Sequence, residues 1–332
     1  MTLKTLFNRN NHQSRLPVVL MVFIWILSAC QSVKPASTTQ VTTLQSQPTL
    51  PPSEPTQTFI PPTAEPTSVE TVIVEDPAEY DPAIADSWKG LPVIPASLSQ
   101  RVYDLYNNGK TSGLNQDAFS KVGDCETSAE YFLAPFDMNA RGYRLGEYIS
   151  LETVILRYEG SFERRSLAAK SGFSVASVLS PIWADPAFCK SEESPIVCEI
   201  RVHRPALMLV MFGTNDVKTS SRAGFEANLK RLLDIVIANN VVPVLVTKAD
   251  NLEGDGSINA IIARVAYEYE IPLLNLWRAM QAIPAGGLEP DQIHLTYAQP
   301  FFDSPENMQK GWPVRNLVSL QMLEFLNDQL GP

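Results

Sequence analysis

Basic residues and histidines are scarce in this chain. Its 332 residues include 26 lysines and arginines against 36 aspartates and glutamates, which gives a net charge of −10. Because a phosphate backbone requires a stripe of positive side chains, this charge argues against a nucleic-acid partner. Of the three histidines, only His203 and His294 lie beyond the N-terminal segment. Neither a phosphate-binding nor a dinucleotide-binding glycine pattern occurs, so we expect no cofactor.

Cysteine is also rare, with four residues in the whole chain. Cys189 and Cys198 flank a polar loop, and no second Cys/His pair with ligand spacing accompanies them, so we expect no metal site. In an exported protein, two cysteines that close a short loop usually form a disulfide. Two free buried thiols are the alternative. Cys125 then has no partner within the same domain.

The start of the chain has a short apolar run. Three basic residues precede the run over 16–27, which is shorter than the roughly 20 residues of a membrane-spanning helix. A charged start, a short apolar core and small residues at its end are typical of an export signal. The ending Leu-Ser-Ala-Cys resembles a bacterial lipobox, which predicts a signal peptide over 1–29 and lipidation of Cys30. An uncleaved membrane anchor is the alternative.

Residues 30–80 are rich in proline, serine, threonine and glutamine. Such a segment buries too little apolar surface to offset its ordering entropy, and its prolines favour extended conformations. We therefore expect a disordered linker that holds a globular domain, residues 81–332, away from a membrane. The predicted location is the outer face of a bacterial membrane, at the cell surface or in the periplasm.

The globular part has an alternating strand and helix pattern. Short apolar runs over 206–212, 241–246 and 271–276 predict buried parallel strands. Amphipathic helices are predicted between them, over 225–239 and 258–270, and after them, over 315–330. A weaker strand over 118–122 follows a helix over 98–106, with Ser97 as its N-cap. This order predicts right-handed crossovers and a parallel sheet.

Three polar motifs come after predicted strands. They occupy residues 123–125 (Gly-Asp-Cys), 213–216 (Gly-Thr-Asn-Asp) and 291–294 (Asp-Gln-Ile-His). Ligands of an open parallel sheet bind at the carboxyl ends of its strands, so we expect the motifs to meet there. An aspartate three residues before a histidine can bond one ring nitrogen and leave the other free to take a proton from a nucleophile.

In this order the three motifs resemble the blocks of the SGNH hydrolase superfamily, the GDSL-type esterases and lipases. The resemblance extends over about residues 118–330. It implies a three-layer α/β/α, flavodoxin-like fold with a central parallel sheet. The family also has an isolated glycine between the first two blocks, and Gly172 matches it best.

The resemblance also implies roles for individual residues. Cys125 would be the nucleophile, His294 its base and Asp291 the residue that orients the base. The backbone N–H groups of Cys125 and Gly172 and the side-chain amide of Asn215 would form an oxyanion hole. Supporting roles would fall to the remaining motif residues, Asp124, Gly213 and Asp216. Asp124 would stabilise its own turn, and Asp216 would either bond that turn or cap a helix.

Cys125 departs from the family pattern, which has serine at this position. A thiol beside a histidine can ionise and attack an acyl carbon, so the chain is predicted to hydrolyse esters through a Cys/His/Asp acyl-enzyme. Its substrate would be a small-molecule or polysaccharide ester, with O-acetylated carbohydrate as a candidate. A catalytically inactive surface binding protein is the alternative, and a structural cysteine is a third. Retention of Asp291 and His294 favours the enzyme, which we expect to be a monomer.

Overall fold

The structure is a computed structural model that describes residues 80–138 and 142–331. The predicted signal peptide, the lipidation site at Cys30 and nearly all of the predicted linker lie outside these ranges. Within them, none of the helices combines the length and the hydropathy that a membrane span requires.

A parallel sheet forms the centre of the described domain. Its four strands lie in the spatial order β1-β2-β3-β4 and are β1 (Asn115–Gly123), β2 (Pro205–Met211), β3 (Val242–Val246) and β4 (Leu273–Leu274). Gly123 pairs with Met211, so β1 and β2 end side by side. The first two polar motifs therefore begin at adjacent points of one sheet edge.

A one-residue pairing extends the sheet beyond β1. The Gly123 N–H donates to the Ala168 carbonyl, and the Lys170 N–H donates to the Gly123 carbonyl, both over 3.1 Å. These bonds make a parallel bridge between Gly123 and Ala169. With this bridge counted as a strand, the spatial order along the chain is 2-1-3-4-5, the flavodoxin-like order.

Helices cover both faces of the sheet. The α-helices are α1 (Gln100–Thr111), α2 (Cys125–Ser128), α3 (Glu152–Arg157), α4 (Val175–Val178), α5 (Pro195–His203), α6 (Asp216–Thr219), α7 (Arg222–Ala238), α8 (Ser257–Glu268), α9 (Leu276–Met280) and α10 (Gly311–Leu330). Short 3₁₀ helices occur at Ser87–Gly90, Ala134–Phe136, Gly146–Leu151, Pro181–Trp183, Pro284–Gly287 and Asn307–Gln309.

Alternate side chains of β2 enter two separate cores. Leu207 and Leu209 pack with residues of α1, α3 and α10, while Met208 and Val210 pack with residues of α5, α7 and α8. A strand buried on both faces has a continuous apolar sequence, which is why residues 206–212 were recognisable. The predicted three-layer α/β/α class is confirmed.

Several predicted boundaries shift. The N-cap of α1 is Ser99, whose hydroxyl accepts from the Val102 N–H over 3.4 Å, and not Ser97. The predicted strand over 271–276 is reduced to two paired residues in β4, because α9 begins at Leu276. Sequence periodicity locates the centre of an element better than its ends.

The predicted disulfide between Cys189 and Cys198 is confirmed, and Cys125 is a free thiol. The segment after Ser194 was expected to be a polar loop, but α5 begins at Pro195. A proline is well suited to the first position of a helix, so the Ser194-Pro195 dipeptide was the sequence signal for the start of α5.

Candidate active site

The turn after β1 presents Cys125 as the first residue of α2. Asp124 caps this short helix, and its Oδ1 accepts from the Glu126 N–H over 3.1 Å. The Cys125 side chain is half-buried, whereas Asp124 and Glu126 are buried. The turn therefore places a thiol beside two carboxyl groups.

Glycines permit the close approach of the strand ends. A Cβ on Gly123 would lie 2.4 Å from the carbonyl oxygen of Met211, which is backbone and cannot move aside. Gly213 has a φ of +130°, and a Cβ on it would lie 2.5 Å from Cγ2 of Ile258. Close packing therefore requires glycine at both motif positions. For Gly213 this packing is the supporting role that the sequence left unspecified.

The segment that contains Asp291 and His294, here called the base loop, carries His294 on the protein surface. Oδ2 of Asp291 lies 2.6 Å from Nδ1 of His294, and Oδ1 accepts from the backbone N–H groups of Ile293 and His294 over 2.9 and 3.0 Å. The bond to Asp291 raises the pKa of His294. The same bond, with the two backbone donors, lowers the pKa of Asp291 to about 2. Nδ1 is therefore committed to Asp291, and Nε2 is the nitrogen left for chemistry.

The base loop meets the turn after β1 that carries Asp124, Cys125 and Glu126, here called the nucleophile turn. The sulfur of Cys125, a ring nitrogen of His294 and a carboxylate oxygen of Glu126 all lie within 4.8 Å of one another. The value of 4.8 Å is an upper limit on each separation, and catalytic hydrogen bonds often tighten only when substrate binds. The structure thus brings together the predicted nucleophile, base and orienting residue, and adds Glu126.

The Cys125 thiol is protonated in this environment. Burial, together with the charges of the nearby Asp124 and Glu126, which disfavour a thiolate, raises the pKa of Cys125 to about 11. Attack on an acyl carbon would therefore require His294 to take the thiol proton as the new bond forms.

The predicted oxyanion residues Gly172 and Asn215 lie on two segments that contact each other, the loop after the Gly123–Ala169 bridge and the turn after β2. Gly172 has a φ of +84°, is exposed, and would have open space around a Cβ. Asn215 Nδ2 donates to the Phe173 carbonyl over 2.9 Å, so the second motif is bonded to the Gly172 loop. An amide carries two N–H donors, and this contact occupies one of them. Their role in an oxyanion hole stays a prediction.

Asp216 supports a different part of the site. Its two carboxylate oxygens lie 3.1 and 3.4 Å from the Val175 N–H, which ties α6 to α4 rather than to the turn over 123–125. Burial raises the pKa of Asp216 to about 6. This residue therefore positions the segment that follows Gly172.

Arg315 is a site residue that the sequence did not reveal. Its guanidinium lies fully buried on α10, donates from Nη1 to the Glu126 carbonyl over 2.6 Å, and lies 3.9 Å from the Phe132 ring centre. Burial lowers the pKa of Arg315 to about 10, and burial raises that of Asp124 to about 7. The sequence did contain one signal for this residue, an arginine within the apolar stripe of a predicted helix. A charged side chain at such a position needs a buried partner.

An exposed aromatic pair joins two segments near the site residues in sequence. The ring centres of Tyr131 and Tyr297 are 4.6 Å apart, and the two side chains are 41% and 49% exposed. Trp312 is buried behind Tyr131 at 5.8 Å between ring centres. Tyr131 lies six residues after Cys125, and Tyr297 lies three residues after His294. The contact between the two rings therefore joins the segments that follow the nucleophile and the base.

Known proteins offer likenesses in structure alone. The chain matches no family model and has no significant match among curated proteins. It is similar to a GDSL-like lipase from Bacteroides thetaiotaomicron at 15% identity and a TM-score of 0.39, over 68% of this chain and 99% of that one.

Two further solved structures match this chain with similar identities, coverages and TM-scores. One is the psychrotrophic esterase EstA from a Pseudoalteromonas species, at 12% identity and a TM-score of 0.40, over 64% of this chain and 100% of that one. The other is a catalytic mutant of Axe2, an acetylxylan esterase from Geobacillus stearothermophilus, at 15% identity and a TM-score of 0.41, over 64% and 94%. At such low identities the similarity is one of fold.

Proposed function

We propose that the domain hydrolyses carboxylic esters through a covalent thioester on Cys125. The observation that carries this proposal is the meeting of Cys125, His294 and Asp291 at the carboxyl edge of the sheet, within the distances given above. The three residues come from segments far apart in sequence. A structural cysteine would have no use for an oriented histidine beside it.

The reaction would proceed in two stages. In the first, the Cys125 sulfur bonds the ester carbon, and its proton passes to Nε2 of His294. The N–H groups of Cys125 and Gly172 and the amide of Asn215 would stabilise the oxyanion. The carbon–oxygen bond then breaks, and His294 returns the proton to the departing alcohol. In the second stage His294 takes a proton from water, which attacks the thioester and releases the acid and the free thiol.

The substrate class proposed here is an O-acylated carbohydrate. Support comes from Tyr131 and Tyr297, two exposed aromatic rings in contact with each other on the segments that follow Cys125 and His294. Tyr297→Ala should raise KM for an acetylated oligosaccharide several-fold and leave hydrolysis of p-nitrophenyl acetate nearly unchanged. An equal effect on both esters would remove the basis for a carbohydrate.

We further propose that the protein is exported and attached to the outer face of a bacterial membrane through lipid on Cys30. The lipobox-like ending at residues 27–30 supports this proposal. Cys30→Ser should move the protein from the membrane fraction to the soluble fraction, because stable attachment needs the acyl chains on that thiol. Unchanged fractionation, with no lipid on the N-terminal peptide, would contradict it.

Covalent labelling tests the catalytic proposal directly. The protein is incubated with p-nitrophenyl acetate and with a thiol-reactive ester probe, and the labelled residue is mapped by mass spectrometry. Wild type should turn over the ester and carry the label on Cys125, and Cys125→Ala should do neither. Cys125→Ser distinguishes a site adapted to sulfur, which should lose activity, from a decayed site, which should gain it. A wild type without turnover or label, with an equally inactive Cys125→Ser variant, would favour the non-catalytic binding protein.

A further inference from the structure

The side chains that meet at the site are also a set of metal ligands. Cys125, Glu126 and His294 each offer one ligand atom, and these atoms lie within 4.8 Å of one another. We propose that this trio binds a thiophilic divalent cation, with Zn²⁺ as the fitting ion, and that the bound cation blocks the nucleophile. The sequence predicted no metal site, because Cys125 and Glu126 are separated from His294 by most of the domain.

The three ligand types suit zinc and exclude a hard cation. Thiolate, imidazole and carboxylate are the groups that coordinate Zn²⁺, at about 2.0–2.3 Å, whereas Mg²⁺ and Ca²⁺ prefer oxygen alone. Tetrahedral coordination at those bond lengths places ligand atoms roughly 3–4 Å apart. The limit of 4.8 Å on the separations in this structure is close to that spacing. Three protein ligands leave a fourth position for water or a substrate oxygen.

Asp291 completes the outer shell of such a site. Its Oδ2 lies 2.6 Å from Nδ1 of His294, which leaves Nε2 as the coordinating nitrogen. A metal-bound histidine commonly donates its other ring N–H to a carboxylate, which fixes the ring orientation and increases its basicity. The feature that orients a catalytic base therefore also orients a ligand.

Glu126 supplies the observation that is independent of the catalytic proposal. Its side chain is buried, at 6% exposure, and its Oε2 has no hydrogen-bond partner among the described residues. Arg315 is the nearest cation, but its Nη1 lies 3.7 Å from Oε2 and gives its short bond to the Glu126 backbone carbonyl instead. Oε2 therefore faces a cation but accepts no hydrogen bond, which leaves it capacity for a further partner. A cation between Glu126 and Cys125 would provide it.

Charge balance is also satisfied. Coordination displaces the thiol proton to solvent, so Cys–SH becomes a metal-bound thiolate and one proton is released per cation. The thiolate and the Glu126 carboxylate carry two negative charges, and Asp124 supplies a further carboxyl group beside them; together these groups face the dication and Arg315. With the sulfur and Nε2 of His294 both coordinated, neither can act on an ester. Metal binding itself is independent of hydrolysis, whereas its inhibitory effect rests on the proposed function.

Binding is tested on the full chain with the metal alone. Zn²⁺ affinity is measured by competition with a chromophoric chelator, and Co²⁺ is added as a probe of thiolate coordination. Wild type should bind one equivalent and show a thiolate-to-cobalt charge-transfer band. Cys125→Ala should abolish that band, and His294→Ala and the isosteric Glu126→Gln should each weaken Zn²⁺ binding by at least ~10-fold. His203→Ala is the matched control and should bind like wild type.

Each outcome decides the proposal. A missing cobalt band, or wild-type affinity in Cys125→Ala and His294→Ala, overturns the site, and wild-type affinity in a folded Glu126→Gln removes Glu126 from it. If Glu126→Gln fails to fold, His294→Ala and the cobalt band in Cys125→Ala decide, because the His294 side chain is exposed. A hydrolysis assay separates the two proposals: Zn²⁺ should inhibit p-nitrophenyl acetate turnover in proportion to occupancy, and a chelator should restore it. A protein that binds zinc but hydrolyses nothing refutes only the catalytic proposal.

Discussion

The two halves of the candidate site are built in opposite ways. In the base loop, Asp291 and His294 are exposed, lie three residues apart and hold each other through local bonds. In the nucleophile turn, Asp124 and Glu126 are buried, and the turn rests on Arg315, 189 residues further along the chain than Glu126. One half is a self-contained surface motif, and the other exists only when the whole domain has folded.

The two aspartates show what this difference does to chemistry. Three hydrogen-bond donors lower the pKa of Asp291 to about 2, so it is a carboxylate at any ordinary pH. Burial raises the pKa of Asp124 to about 7, although Arg315 acts in the opposite direction. Two aspartate side chains thus acquire opposite pKa shifts, one from hydrogen-bond donors and the other from burial. Substitutions in the exposed half should therefore change chemistry alone, whereas those in the buried half should also change stability.

The largest effect is expected from Arg315→Met. Removal of this cation leaves Glu126 and Asp124 buried without a positive partner, which should lower the free energy of unfolding by about 3–5 kcal/mol. Denaturant unfolding measures it. Arg165→Met is the control, because that side chain is 77% exposed and should change stability by no more than ~0.5 kcal/mol. Equal stability of the two variants would show that the nucleophile turn does not depend on the buried charge.

A smaller effect, on rate and not on stability, is expected from His294→Ala. Loss of the base should slow ester hydrolysis by at least ~10², which corresponds to about 2.7 kcal/mol. Because His294 is exposed, the melting temperature should stay nearly constant. His203→Ala should keep full activity. A joint fall of activity and melting temperature in His294→Ala would mean that the base loop is not self-contained.

The disulfide should have an effect of similar size on stability alone. Cys198 lies on α5, whose Glu199 accepts from the Ser120 hydroxyl on β1 over 2.5 Å, so this bridge supports the buried half. Replacement of both cysteines by serine should lower the free energy of unfolding by about 2–3 kcal/mol in the chain-entropy model. Thermal or denaturant unfolding of wild type with and without reductant provides a second measurement. Insensitivity to both treatments would show that α5 holds β1 without the bridge.

The smallest effect concerns Lys121, a buried lysine on β1 whose Nζ donates to the Phe162 carbonyl over 2.6 Å. Burial lowers its pKa from 10.5 to about 8, so the unfolded chain binds more protons above pH 8 and stability rises with pH. Relative to Lys121→Met, wild type should gain about 1.5 kcal/mol between about pH 8 and pH 9.5. A difference between the two proteins that does not vary with pH would mean that Lys121 keeps its ordinary pKa in the fold.

The same contrast explains which features the sequence could predict. The bond between Asp291 and His294 is local, and the strands of the sheet are short apolar runs, so both were visible as patterns. Cys189 and Cys198 were paired correctly because they close a short loop. Arg315 and Glu126 were not assigned to the site, because their contact joins residues 189 apart and follows from packing. The missed helix α5 has polar residues before Pro195, which concealed its start.

The short spacing of the disulfide has a consequence for oxidative folding. The described ranges contain three cysteines, so three pairings among them compete when the unfolded chain meets an oxidant. Cys189 and Cys198 are nine residues apart, whereas Cys125 is roughly seven times farther from either of them. Loop closure then disfavours each wrong pairing by about 1.7 kcal/mol, roughly a factor of twenty. The correct bridge therefore forms first by proximity, before the rest of the fold exists to guide it, and leaves Cys125 reduced without the help of an isomerase.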